Sequence, residues 1–194
     1  MAADLPVSGY PVVDPEAWVD EHGDYLFRYA LRRVLKRDLA EDLVQDTFSA
    51  ALGARERYEG RASERTWLLS ILKHKIIDYI RKESREGTAI NGNPNDQQSD
   101  DFFDERGRWA VKPSRWENDP RKVAENKEFL KVFTDCLAEL PRKVAHAFVL
   151  REIEEHNGEE ASEILKTSVN HVGVLLYRAR LQLRRCLELN WFTQ

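Results

Sequence analysis

The sequence predicts an all-α protein with two small helical domains joined by an acidic, flexible linker. Apolar residues recur every three to four positions in 14–85 and again in 123–194, the period of an amphipathic helix. The intervening stretch 86–122 lacks this period, and its polar, Asn- and Asp-rich composition is typical of a disordered linker. Residues 1–13 contain two prolines and a glycine and predict a loose tail. No alternating apolar pattern indicates a strand.

Three helices are predicted in the first domain. The first carries an apolar face made of Trp18, Tyr25, Leu26, Tyr29, Val34 and Leu35. The second spans 38–52, where Asp38 is a good N-cap residue and Glu41, three residues later, completes a capping-box-like start. Its polar residues recur at i, i+3 and i+4 and form a stripe beside the apolar face. This stripe, called the docking stripe below, consists of Asp42, Gln45, Asp46 and Ser49. A third helix follows Gly60, with apolar positions from Trp67 to Ile80.

The second domain ends in a helix-turn-helix spacing. An amphipathic helix with apolar residues from Phe129 to Leu140 leads to Pro141, which suits the first turn of the next helix. Asn157 and Glu160 form an N-cap and N3 pair that opens a short helix through Leu165. Residues 166–168 predict a tight turn, and Ser168 can cap a long last helix. A short helix, a three-residue turn and a longer helix form the helix-turn-helix arrangement.

Charge is segregated along the chain. The net charge of −4 argues against a uniformly basic DNA binder. However, 61–85 contain seven Lys or Arg and three acidic residues, a net of +4. The stretch 87–105 contains five acidic residues and no Lys or Arg, whereas 173–187 contain four Arg and no acidic residue. Such segregation indicates separate partners for the separate segments.

The two cysteines predict neither a disulfide framework nor a zinc site. Cys136 and Cys186 lie far apart, without a CxxC pair or a Cys/His cluster. Both occupy apolar helix positions, where we expect small core residues. The five histidines are scattered, and no HExxH, GxSxG or P-loop spacing appears. We therefore expect no catalytic site, no metal and no cofactor.

No apolar run is long enough to cross a bilayer, and no charged-then-apolar leader is present at the N-terminus. We expect a cytoplasmic protein without membrane insertion. Four aromatic residues in the second half of the linker have no assigned role: Phe102, Phe103, Trp109 and Trp116.

The second helix of the first domain resembles the extracytoplasmic-function (ECF) sigma factors of bacterial RNA polymerase. That family's phrase Asp-x-x-Glu-Asp-Leu-Val-Gln-Asp-x-Phe is matched in full from Asp38 to Phe48. The resemblance implies that the docking stripe meets the coiled-coil clamp of the largest polymerase subunit. An exposed polar face without a partner is the structural alternative for such a stripe.

The basic segment of the third helix also resembles this family, at Gly60, Trp67-Leu68, Ile71, Asp78 and Arg81-Lys82. It departs from the family at His74, which replaces the usual Asn, and at Glu64, which replaces a frequent aromatic residue. The resemblance implies that this segment melts and reads the promoter element just upstream of the start site. Its candidate strand-binding residues are Arg61, Arg65, Trp67, Lys73, His74, Lys75, Arg81 and Lys82. The alternative for these residues is structural: the tryptophan lies in the core, and the basic side chains form a face that contacts only solvent.

The last helix resembles the family's promoter-reading helix at Leu165, Ser168, Val172, Leu176 and Arg178-Ala179-Arg180. The first residues of a recognition helix enter the major groove, so Asn170 and His171 are candidates for base contacts. Ser168, Arg178 and Arg180 are candidates for phosphate contacts. Gly173 and Leu175 replace cations that the family usually has, so the helix either approaches the DNA backbone closely at the glycine or binds weakly.

The resemblance covers about 20–190 and implies an ECF-type sigma factor. Such a protein binds core RNA polymerase, directs it to specific promoter DNA and promotes opening of the duplex, while catalysis stays with the polymerase. It also implies an anti-sigma factor as an inhibitory partner. The alternative is a stand-alone helix-turn-helix regulator with an N-terminal sensing or dimerising domain, which binds duplex DNA without the polymerase.

Overall fold

The computed structural model describes residues 14–86 and 126–192, and every regular element in them is helical. The chain divides into two compact units, 1–78 and 79–194. The predicted tail and almost all of the predicted linker, including Trp109 and Trp116, lie outside the described residues. In the described ranges no helix is long and apolar enough to cross a membrane. The predicted all-α class is confirmed.

The first unit is built from α1 (Trp18–Val34), α2 (Arg37–Ala54) and the start of α3 (Glu64–Glu86). A short 3-10 turn, Arg55–Arg57, follows α2. Its core is formed by apolar residues that recur at helical spacing and are at most 8% exposed. They are Trp18, Leu26, Ala30, Val34, Ala40, Leu43, Val44, Ala51, Tyr58, Leu68, Leu72 and Ile76.

The predicted start of α2 is wrong by one residue and in its cap. The helix begins at Arg37, and the N-cap position is occupied by Lys36, which makes no side-chain cap hydrogen bond. Asp38 therefore lies inside the first turn, where its negative charge still interacts favourably with the positive end of the helix dipole. Glu41 forms an ion pair with Arg37 at 2.9 Å, so the carboxylate is directed along the helix face, and no capping box forms with Asp38.

The second unit contains α4 (Lys127–Ala138), α5 (Arg142–Phe148), α6 (Gly158–Leu165) and α7 (Val169–Leu187). A π-helical turn, Val149–Ile153, extends α5, and a second one, Glu188–Phe192, extends α7. The longest of these four helices, α7, packs against the other three. Leucine, valine and alanine side chains dominate the core between them, including Leu150, Leu165, Val172 and Ala179.

The prediction that the two cysteines form no disulfide is wrong, because Cys136 and Cys186 are bonded to each other. The predicted core position is confirmed for Cys136, which is 2% exposed, but Cys186 is only half-buried. Cys136 lies in α4 and Cys186 in the last turn of α7. Their Cα atoms are 5.8 Å apart, although the residues are separated by 50 positions in the sequence. Packing of α4 on α7 brings the two sulfurs together. The spacing of the cysteines in the sequence does not indicate which helices pack on each other.

Candidate functional site

The docking stripe is a continuous exposed face of α2. Asp42, Gln45, Asp46 and Ser49 are all exposed, whereas Leu43, Val44, Thr47 and Ala51 on the opposite side are buried. The core therefore determines which way the helix is turned, and the polar side chains face outward because the apolar ones are buried.

Leu52 extends the docking stripe and was missed in the sequence analysis. It lies seven residues after Gln45, on the same side of α2, and is 46% exposed. Single exposed leucines are ordinary on protein surfaces, so Leu52 is of interest only through its position at the end of the docking stripe. The i+7 spacing from Gln45 is the signal that indicates its position.

Trp67 is held between two aromatic rings of the first unit. Its ring lies 4.9 Å from that of Tyr58 and 5.9 Å, edge-on, from that of Trp18. The Nε1–H of Trp18 donates a hydrogen bond to Glu64 at 2.9 Å. The tyrosine hydroxyl donates to the carbonyl oxygen of Ala62. These contacts fix the half-buried Trp67 side chain against the loop that enters α3.

An open pocket of about 280 Å³ lies between this loop and the first turns of α3. Trp67 and Tyr58 provide its aromatic surface, and Arg61 lies at its edge. Arg61 forms an ion pair with Glu59 at 2.6 Å, and both side chains are exposed. The full lining is Arg57, Tyr58, Glu59, Arg61, Ala62, Thr66, Trp67 and Ser70. An aromatic wall beside guanidinium groups suits a flat, negatively charged ligand.

The other predicted strand-binding residues of the first unit are spread around α3. Arg65 lies over the Tyr25 ring, with its guanidinium carbon 5.4 Å from the ring centroid, and the Lys73 ammonium is 5.7 Å from the centroid of Tyr29. Lys75 forms an ion pair with Asp46 of the docking stripe at 3.9 Å. These three therefore do not line the pocket.

His74 is the candidate that continues the line of Trp67 along α3. It is exposed and lies seven residues after the tryptophan, with Ser70 between them on the same side. Its Nδ1 lies 2.7 Å from the carbonyl oxygen of Ser70. That contact makes Nδ1 the donor, which leaves Nε2 as an outward-facing acceptor in the neutral ring.

Arg81 and Lys82 lie in the part of α3 that belongs to the second compact unit, and both are exposed. In the same unit Glu83 forms an ion pair with Arg142, and its Oε2 lies 3.4 Å from His146 Nε2. Burial is the main reason that the pKa of Tyr79 is raised to about 12, and the negative charge of Glu83 is a smaller cause. Tyr79 therefore stays protonated at neutral pH.

The turn between α6 and α7 confirms the predicted capping residues. The Asn157 side chain accepts from the N–H groups of Glu159 and Glu160, and the Glu160 carboxylate accepts from the Asn157 N–H at 2.9 Å. This last bond lowers the pKa of Glu160. Lys166 ends α6 in the left-handed conformation, and Ser168 Oγ accepts from the N–H of His171 at 3.2 Å. The helix-turn-helix is therefore present and capped at both helix starts.

The exposed side of the first three turns of α7 is mostly uncharged. Asn170, Gly173, Val174 and Tyr177 lie on it, and the valine and tyrosine are 43% and 47% exposed. These four residues are called the recognition face. Val174 and Tyr177 were missed because the sequence analysis considered only polar and charged side chains of this helix as DNA contacts. Their spacing of four and seven from Asn170 is the signal that places them beside it.

The remaining upstream-element candidates lie at the edges of the recognition face. Ser168 is exposed, and His171 and Arg178 are half-buried on one flank. Arg180 is exposed on the other flank, where it forms an ion pair with Glu152 at 2.6 Å. In the described ranges no group of three or more His, Cys, Asp or Glu side chains is placed to hold a metal ion.

Two family models match the chain, and they match the two regions of the described fold. Residues 18–86 match sigma-70 region 2, and residues 130–183 match sigma-70 region 4. The first match contains the docking stripe and the Trp67 pocket. The second contains the helix-turn-helix with its recognition face.

Curated relatives are sigma factors. A probable RNA polymerase sigma factor of Haemophilus influenzae is 36% identical over 146 residues, which is 73% of each chain. The ECF RNA polymerase sigma factor SigM of Bacillus subtilis is 30% identical over 118 residues, 61% of each chain. Among solved structures, the sigma factor RpoE in complex with the anti-sigma factor NepR from Bartonella quintana aligns with a TM-score of 0.42 and 23% identity, over 90% of this chain and 97% of that one. On the family models and the curated relatives, the chain belongs to the sigma-70 family of RNA polymerase sigma factors, as a member of its ECF group.

Proposed function

We propose that this ECF sigma factor binds core RNA polymerase through the docking stripe and Leu52 of α2. The observation that carries the proposal is the full match of the docking phrase to a face of α2 whose polar residues are all exposed. Two carboxylates and an amide lie in line with one exposed leucine at the end of the stripe, so the face offers both polar and apolar contacts to a partner. The partner surface is expected to be basic opposite Asp42 and Asp46.

The Trp67 pocket is proposed to receive an unstacked base of the opened promoter strand. A base that has left the duplex is stabilised when it stacks on an aromatic ring. The phosphates of the same strand are stabilised by nearby cations. Trp67 provides the ring, Arg61 a cation at the pocket edge, and His74 a further polar contact along α3. Capture of a flipped base favours the melted state, so it promotes opening. The other candidates, Arg65, Lys73, Lys75, Arg81 and Lys82, add positive potential along the strand.

The recognition face is proposed to read the upstream promoter element in the major groove. Asn170 can form a bidentate pair with adenine, and His171 can donate to guanine or a phosphate. Val174 and Tyr177 are placed for apolar contact with thymine methyl groups. Gly173 has no neighbouring atom within 4 Å of the position that a Cβ would occupy, so the helix can approach the DNA closely there. Ser168, Arg178 and Arg180 are proposed phosphate contacts.

The remaining proposals follow from membership of the family. The protein acts in the cytoplasm, where the polymerase and the promoter are, and catalysis remains with the polymerase. An anti-sigma factor is the expected inhibitory partner. No residue of this chain is assigned to that contact.

The proposed function is tested with sigma-free core polymerase. Purified protein should co-migrate with the core enzyme and yield discrete run-off transcripts from genomic fragments. Asp42→Arg with Asp46→Arg should abolish co-migration, because the charge of the docking stripe is reversed. Asp20→Arg with Asp24→Arg is the matched control: it makes the same charge change on exposed residues of α1, and should leave co-migration unchanged.

Two outcomes contradict the proposal. Transcription retained by the stripe variant removes the assignment of the docking stripe. Binding of duplex DNA by the protein alone, without any co-migration with the core enzyme, favours the stand-alone regulator instead. Circular dichroism of each variant establishes that its helices are intact.

A further inference from the structure

We propose that Cys136 and Cys186 form a reversible redox site, which a dithiol reductant opens by thiol–disulfide exchange and which sets the stability of the second unit. This inference is independent of the proposed function, because it concerns the state of two sulfur atoms and the unfolding of one unit. The first supporting observation is the disulfide itself, which joins α4 to the last turn of α7.

The covalent loop encloses the helix-turn-helix. The cysteines are 50 residues apart, and α5, α6 and all but the end of α7 lie between them. A cross-link that closes such a long loop restricts the unfolded chain strongly. Oxidation is therefore expected to stabilise the unit that carries the recognition face, and reduction to remove that stabilisation.

The two sulfurs differ in accessibility. Cys136 is 2% exposed, whereas Cys186 is half-buried. Asn190 Nδ2 lies 3.3 Å from the Cys186 sulfur, and Glu139 Oε2 lies 3.7 Å from it. A thiolate arriving from solvent therefore meets Cys186 first, next to a donor that can stabilise negative charge on sulfur and a carboxylate that repels it.

One molecule of a dithiol reductant supplies both electrons for the exchange. A reductant thiolate attacks Cys186 Sγ, the Cys136–Cys186 bond breaks, and Cys136 leaves as a thiolate that takes a proton. The second thiol of the reductant then attacks the mixed disulfide and releases the Cys186 thiol. The net result is two protein thiols and one cyclic disulfide formed from the reductant, with two electrons transferred to the protein.

Aromatic packing keeps the reduced site assembled. Phe129 of α4 lies edge-on to Trp191 with centroids 5.6 Å apart, and Phe133 lies 6.0 Å from Phe148 of α5. These contacts hold α4 against its neighbours without the covalent bond, so the two thiols remain near each other and can be reoxidised.

The experiment uses the full chain in buffers with varied ratios of reduced to oxidised dithiothreitol. Exchange is stopped with acid and the chain is denatured before its free thiols are alkylated and counted by mass, because Cys136 is buried in the folded protein. The thermal midpoint is measured in parallel. We expect a step from zero to two labels, the same midpoint ratio from oxidised and from reduced starting protein, and a fall of several degrees in the thermal midpoint at that ratio. Two labels at every ratio, or none at any ratio, overturn the proposal.

Variants separate the redox site from a general effect of the reductant. Cys136→Ser and Cys186→Ser should each show one label at every ratio and a thermal midpoint that the reductant does not move. If either variant fails to fold, the titration of the unsubstituted protein still decides. Glu139→Gln should speed reduction by roughly two- to five-fold at low ionic strength, because an anionic thiolate no longer meets a carboxylate. Glu128→Gln, an exposed change on the same helix, should not. Equal rates for both variants contradict attack at Cys186.

Discussion

In the first unit an aromatic cluster packs on the start of α3 beside buried aliphatic residues of that helix, whereas in the second unit α7 combines aliphatic packing with a disulfide in its last turn. Trp18, Tyr58 and Trp67 contact one another, and the last two also line the pocket proposed for a flipped base. Cys186 lies sixteen residues after Asn170 in one helix, which is about 24 Å at 1.5 Å per residue. Under the proposed function, stability and recognition therefore depend on the same side chains in the first unit and on separate ones in the second.

This difference has a consequence for mutation. A change in the aromatic cluster of the first unit should alter both stability and single-strand binding, because the packed rings also line the pocket proposed to bind the strand. A change at the disulfide should alter the stability of the second unit without changing which bases it prefers. Four measurements test this contrast.

Trp18→Ala is expected to have the largest effect, a loss of about 3–5 kcal/mol in the free energy of unfolding of the first unit. Trp18 is 2% exposed and packs on Trp67 and Phe48, so its removal leaves a large cavity. Urea denaturation followed by circular dichroism measures the loss, and affinity for single-stranded DNA should fall with it. Val19→Ala, a change at a side chain that is 62% exposed, is the control. Lost stability with unchanged strand affinity shows that Trp18 does not position Trp67.

Reduction of the Cys136–Cys186 disulfide should lower the free energy of unfolding of the second unit by about 2–4 kcal/mol. The cross-link closes a long loop in that unit only, so the first unit should unfold at the same urea concentration as before. Ranking of duplex sequences in a binding selection should be the same in both redox states. A changed ranking shows that the disulfide shapes the recognition face, and the proposed separation of roles is then wrong.

Asn157→Ala should cost about 1 kcal/mol, because α6 loses its N-cap acceptor. The neighbouring Glu160 has a lowered pKa, so its contribution is present above the ordinary pKa of glutamate and is lost as the pH falls through the lower value of the folded state. Thermal midpoints of the parent and of Glu160→Gln, measured from neutral to acid pH, check the sign. The parent should lose more stability on acidification than the variant, and parallel curves contradict the capping role of the carboxylate.

Gly173→Ala is expected to have the smallest effect on stability, a gain of about 0.5–1 kcal/mol, since alanine favours a helix and its Cβ meets open space. Gly53 of α2 also has no neighbouring atom within 4 Å, so Gly53→Ala provides a matched change in the first unit. If α7 approaches the DNA at Gly173, only Gly173→Ala should weaken duplex binding. Undiminished binding by that variant indicates that the glycine is not at the DNA surface.

Much of the local structure could be predicted because it depends on neighbouring residues. The capping box of α6 and the Ser168 cap of α7 were predicted correctly, since each joins atoms only two or three residues apart. The start of α2 was predicted wrongly even though Asp38 is a strong capping residue, because the helix continues back to Arg37 and no side chain caps it. Helix ends depend on small differences between adjacent positions, which tertiary packing readily overrides.

The candidate site was predictable in part. The docking stripe could be placed because the apolar residues of α2 define its buried face, and the polar residues must then lie on the opposite, exposed face. The spread of Arg65, Lys73 and Lys75 around α3 could not, since each contacts a different side chain in α1 or α2. Val174 and Tyr177 were also missed, because an apolar residue on a helix does not reveal whether another helix covers it.

By itself, the sequence determined the helical class, the order of the helices, the two caps of the helix-turn-helix and the family. These properties follow from local periodicity and from contiguous motifs. Only the tertiary structure decided that Trp67 borders a pocket, that the recognition face includes Val174 and Tyr177, and that Cys136 is bonded to Cys186. The physical reason is the same in each case: the contact joins residues from different helices or depends on what covers a surface, and neither is encoded in the spacing of neighbouring residues.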